Sequence, residues 1–100
     1  MLVLVESAGP QSSKMRRRAV RRTYLAMRHL SWLVPRASVQ LGEVSDRGEG
    51  VYKRCRVELR TDGARPIVVT SLARDWRSAM DNALSRAARS VLRLWIDSRR

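Results

Sequence analysis

The 100-residue chain contains no phenylalanine, a single cysteine and a single histidine, and from Ser7 to Gly42 it has no acidic residue at all. Each shortage excludes something. Cys55 cannot form an internal disulfide, and one Cys with one His, His29, cannot supply a structural zinc site. No metal and no cofactor are expected. Long apolar runs are also missing: Leu2 to Val5 is stopped by Glu6, too short for a signal-peptide core or a membrane span. The chain reads as a cytoplasmic protein without a membrane partner.

Residues that carry chemistry are as scarce. Nucleophilic catalysis needs a Ser or Cys beside a base and an acid that orients it. Cys55 falls on the inward phase of an alternating stretch and reads as a buried thiol. His29 stands among arginines with nothing to mark it as a base. Asp75 and Asp81 lie where a helix begins, which suits the helix dipole. Gly42 to Gly50 lacks the Gly-Lys-Ser/Thr of a phosphate-cradling loop. No catalytic residue, no enzyme and no small-molecule substrate are expected.

Positive charge is what the chain has in excess. Against 9 acidic residues stand 21 basic ones, for a net charge of +12, and 44% of the chain is hydrophobic, enough to fold as one domain. Of the basic residues 19 are Arg, whose planar fork suits phosphate. A polyanion is the expected partner. The acid-free stretch from Ser7 to Gly42 alone carries +8. An ordinary solvated face mixes signs, so this segment is singled out.

Periodicity gives the charge a shape. Over about Ser12 to Trp32, Ala19, Thr23, Ala26, Met27, Leu30 and Leu33 fall on one side of a helical wheel. Lys14, Arg17, Arg18, Arg21, Arg22, Arg28 and His29 take the opposite arc. A first helix is predicted there, with Ser12 or Ser13 as N-cap and Pro35 barring its continuation. A second is predicted from Leu72 to about Trp95, its core stripe being Trp76, Ala79, Met80, Ala83, Leu84, Ala87, Val91 and Leu94. Arg86, Arg89 and Arg93 form a basic ridge beside Asn82 on its exposed side. Residues from about 96 to 100 make a basic tail that need not be ordered.

The middle alternates. Ala37, Val39 and Leu41, then Cys55, Val57 and Leu59, point inward in two half-buried strands, the second presenting Arg54, Arg56 and Arg60 outward. Asp62-Gly63 is a turn signal leading to a further strand at Ile67 to Thr70. Leu2 to Val5 reads as a short buried strand. The order β-α-β-β-β-α follows, an α+β fold whose four-stranded mixed sheet has two helices on one face. Trp32 and Tyr52 are aromatic candidates for RNA or partner contact.

The run Ala37-Ser-Val-Gln-Leu-Gly-Glu-Val44, the glycine-containing loop after it, and Val51-Tyr-Lys-Arg-Cys-Arg-Val-Glu-Leu59 resemble the ribosome hibernation promoting factor / ribosome-associated inhibitor A family, in its short single-domain form. Pro66-Ile-Val-Val-Thr70 is similar to that family's fourth strand, and Asp75-Trp-Arg-Ser-Ala-Met-Asp81 to the opening of its last helix. The resemblance implies the same β-α-β-β-β-α fold and a bacterial, noncatalytic protein, monomeric when free. It implies binding to small-subunit rRNA in the messenger and transfer RNA channel and silencing of translation in stress or stationary phase. It further implies that Lys53 and Arg54 match the family's Lys-Arg pair and that Arg86, Arg89 and Arg93 occupy its basic last-helix positions. Arg77 stands where the family has tyrosine. Two rival readings are a double-stranded-RNA-binding domain and a protein-interaction adaptor using Leu25, Trp32 and Leu92.

Overall fold

A computed structural model describes residues 1–7, 13–48 and 50–99. The strands are β1 (Leu2–Ser7), β2 (Arg36–Asp46), β3 (Gly50–Arg60) and β4 (Ile67–Ala73), and the helices are α1 (Ser13–Ala26) and α2 (Trp76–Ser98). They lie in one sheet in the order β1-β2-β3-β4. β1 runs parallel to β2, with Val5 opposite Val39, and the two later pairings are antiparallel. This is the expected β-α-β-β-β-α order. A parallel pair needs a crossover, and α1 supplies it.

Alternation sets the two faces of the sheet. Ala37, Val39, Leu41, Cys55, Val57, Leu59 and Val69 are buried beneath the helices, where they meet Ala19 and Met27 and the α2 stripe Ala79, Met80, Ala83, Leu84, Ala87 and Val91. No described element covers the opposite face, so Leu2, Leu4, Val68 and Leu72 stay exposed there. β1 therefore buries one side only, through Val3 and Val5, rather than being sunk in a core.

Several boundaries differ from the sequence reading. Helix α1 ends at Ala26, short of Trp32. After Met27 N–H donates to Thr23 O, the chain changes to shorter steps, Leu30 N–H to Met27 O and Leu33 N–H to Leu30 O, and a 3-10 turn spans Ser31–Leu33. The tighter path delivers Pro35 to the start of β1, where its carbonyl accepts from Leu2 N–H at 2.9 Å. Of the two proposed caps, Ser12 lies outside the described residues and Ser13 is already helical.

Helix α2 starts at Trp76, not Leu72, because Leu72 and Ala73 pair with Arg54 and Lys53 and extend β4. Asp75 is the N-cap: its carboxylate accepts from Ser78 N–H at 2.8 Å and from the Ser78 hydroxyl at 3.0 Å. At the far end α2 takes in residues 96–98 of the expected tail. Leu94, expected in the core, is 41% exposed. Strands β2 and β3 reach further toward each other than their alternation suggested, leaving a turn at Arg47 and Gly48 whose left-handed Gly48 (φ +88°) favours glycine.

Candidate nucleic-acid interface

Helix α1 has no acid in its first turn, and Lys14, Arg17, Arg18 and Arg21 all stand exposed along it. Arg28 is exposed in the turn that follows. Arg22 is the exception. It leans toward α2, where Nη1 meets Asp81 Oδ1 at 2.5 Å. Arg77 approaches the other oxygen of the same carboxylate, Nε to Oδ2 at 3.9 Å. One carboxylate thus sits between two guanidiniums across the seam of the helices.

That seam is a groove. Arg18, Arg21 and Arg22 of α1 and Trp76, Arg77 and Met80 of α2 line a cleft of about 470 Å³. A second cleft of about 460 Å³, sharing Arg22 and Leu25, extends it past Arg28 and Ser85. Arg77 is the contributor that sequence reasoning left out. On the wheel it lies apart from the Arg86 ridge, and only the position of α1 shows that it faces Arg22.

The Arg86, Arg89 and Arg93 ridge is exposed as expected, but it lies elsewhere. Asp81, which meets α1, is about 140° round the helix from Arg86. Arg86 points to the outer edge of the sheet, donating from Nη1 to Thr70 O at 3.2 Å. The ridge therefore flanks β4, while the α1 arginines border the inter-helix groove and the solvent side of α1. The helices carry two basic tracks, not one.

The Lys53-Arg54 pair is divided by the pleat. Lys53 is on the helix side, its Nζ at 2.5 Å from Glu43 Oε1 and 5.1 Å above the Trp76 ring. Arg54 is on the open face, opposite Gly42 and Leu72. The structure does not bring Arg54 together with either helix track. The other outward arginines of β3 are partly neutralised: Glu58 is within 3.8 Å of Arg56 and 3.7 Å of Arg60. Arg74 lies 4.5 Å over the Tyr52 ring, so that aromatic face is already covered.

Among the described residues two titratable groups depart from their ordinary values. Burial pushes the Cys55 thiol up to about 12, which makes it a poor nucleophile at neutral pH. Hydrogen bonds from Ser78, backbone first and hydroxyl second, with the nearby Arg77 charge, hold the Asp75 carboxyl below its usual value. Both are structural effects. Among the described residues no group of three or more His, Cys, Asp or Glu is placed to hold a metal ion, and no helix is long and apolar enough to cross a membrane.

Two helices packed on one face of a β1-β2-β3-β4 sheet, with only the first pair parallel, make an α+β fold that is shared with proteins of solved structure. A ribosomal subunit interface protein from Coxiella burnetii has a TM-score of 0.76 over 96% of this chain and 99% of its own, at 9% identity. The N-terminal domain of Thermus thermophilus Protein Y has a TM-score of 0.72 over 94% and 99%, at 18% identity. At such identities the likeness establishes the fold. No family model and no curated protein matches the chain.

Proposed function

We propose that this chain is a noncatalytic, cytoplasmic ribosome-binding protein of the hibernation promoting factor type. Its basic helix tracks dock on small-subunit rRNA near the messenger and transfer RNA channel, and occupancy there inhibits translation in stress or stationary phase. The observation that carries the reading is the pair of arginine tracks, the α1 arc with its groove and the α2 ridge, set on a fold shared with a ribosomal subunit interface protein. Arg17, Arg18, Arg21, Arg28, Arg86, Arg89 and Arg93 are exposed and offer forked donors to phosphate. Lys14 adds a point charge. Arg22 and Lys53 must exchange Asp81 and Glu43 for phosphate, and Arg54 would reach RNA only if the open sheet face also met the ribosome.

Co-sedimentation of the full chain with separated ribosomal subunits across a salt series tests this. If about six to eight phosphates are neutralised, the log–log slope is roughly −5 or steeper. Replacing Arg86, Arg89 and Arg93 together by Ala weakens small-subunit binding and leaves the helical circular dichroism intact. Salt-insensitive binding, equal binding to the large subunit, or unchanged co-sedimentation of the triple variant overturns the reading. Tighter binding to a bare RNA duplex than to the subunit favours a double-stranded-RNA-binding domain.

A further inference from the structure

Trp32 is 68% exposed, yet it is held in place. Its indole N–H donates to His29 O at 3.2 Å, and its ring stands edge-to-face with Trp95, centroids 5.9 Å apart and planes at 86°. An oriented indole therefore looks into solvent. It borders a groove of about 400 Å³ at the end of the core, between the 3-10 turn, the β3–β4 connection and the last turns of α2. Leu33, Asp62, Leu94 and Trp95 are among the residues of its walls. Leu94 points the same way as Val91 and is left without cover.

Two polar features decide what would fit. The Thr61 hydroxyl, in the wall of the groove, is buried and has no hydrogen-bond partner in the structure. A buried hydroxyl without a partner is costly, and a turn about its Cα–Cβ bond would offer it to an occupant with a hydrogen-bonding edge. An aliphatic side chain leaves it orphaned. Arg99 lies 4.9 Å over the Trp95 ring, and Asp62, the one charged residue in the wall, keeps the negative charge of an occupant on the Arg99 side. The occupant these features select is flat, polar at its edge and attached to negative charge. On a chain of net charge +12, that is a nucleotide.

We infer that this groove receives a single unpaired RNA base, stacked on Trp32 beside Trp95, while the helix arginines hold the phosphate backbone elsewhere. The inference rests on the RNA-binding reading above and adds to it a stacking site that none of the track arginines lines. Its volume lies within the range of small-ligand sites, about 300–1,000 Å³.

Fluorescence anisotropy of the full chain with a short single-stranded oligoadenylate, against an abasic ribose-phosphate strand of equal length, tests the site. The base-bearing strand binds tighter by about 5- to 150-fold, the range of one base stacked on an aromatic ring. Trp32→Ala erases that preference while leaving the abasic affinity unchanged, and Trp32→Phe keeps most of it. Because Trp32 is exposed, the Ala variant folds, which circular dichroism checks. Equal affinity of the wild type for both strands, or a preference that survives Trp32→Ala, overturns the base site and leaves the electrostatic reading standing. No binding of either strand or of the subunit sinks both. If Trp32→Ala spares RNA affinity but weakens subunit binding, the groove holds a protein side chain and the base site is wrong.

Discussion

On the proposed reading Asp81 competes with phosphate for Arg22 and Arg77, and removing it is expected to strengthen RNA binding. In Asp81→Asn the shape of the side chain is kept while the charge that engages Arg22 and Arg77 is lost. The cost to the fold is small. The pair is partly exposed, at 29% for Arg22 and 48% for Asp81, and exposed pairs contribute about 0.2–1 kcal/mol. The gain is larger. Each phosphate newly met by a released guanidinium adds about 0.9 to the salt slope, which near physiological salt amounts to roughly a five-fold rise in affinity over a reference at about 1 M. One released arginine gives about five-fold, and two give about thirty-fold.

A salt titration of wild type and Asp81→Asn on small subunits reads both quantities at once. The variant has the higher affinity at low salt and the steeper slope, and the two curves converge as salt rises. Combining it with Arg22→Ala returns the gain to that of one arginine. A folded Asp81→Asn protein with unchanged affinity and slope would refute the placing of phosphate in the inter-helix groove.

Other expectations can be checked on the free protein. Asp75→Ala removes the α2 cap and lowers the melting temperature by about 4 °C in a thermal scan at neutral pH. Because the folded carboxyl is held below its usual 3.8, the cap's contribution is complete above that value and is lost as pH falls through the lowered one, so wild type and variant converge in acid. The Cys55 thiol, raised to about 12 from 9.0, does not react with an aromatic disulfide at pH ~8 until the protein is unfolded. As pH rises above about 9 the unfolded thiol ionises first, so stability falls in that window and Cys55→Ala removes this component. Leu59→Ala, at a fully buried position, costs about 2–5 kcal/mol in denaturant unfolding, whereas Leu72→Ala on the open face stays within about 0.5 kcal/mol.

The element order could be read from the sequence because it rests on local pattern. Two-residue alternation in Ala37 to Leu41 and Cys55 to Leu59, and three- and four-residue steps from Trp76 to Val91, survive folding since each decides which side meets the core. Boundaries depend on distant partners. Leu72 continues the helical wheel, yet it belongs to β4 because Arg54 lies opposite it. Ser31 to Leu33 also fit the wheel, but the chain must turn there to reach β2. The site divides in the same way. The exposed arginines on each helix follow from periodicity within that helix. The facing of Arg77 and Arg22 across Asp81, the split of Lys53 from Arg54, and the edge-to-face contact of Trp32 with Trp95 are relations between elements, and no single stretch of sequence states them.

The acid-free first turn of α1 has a consequence for the protein before it meets any partner. Three successive arginines, Arg16 to Arg18, press positive charge against the positive end of the helix dipole, so the opening turns of α1 are the least secure part of that layer. Their backbone amides exchange hydrogen fastest in the free state at low ionic strength and slow when an anion is bound. If these turns meet phosphate as proposed, the anion completes them, and part of the binding free energy goes into finishing the helix.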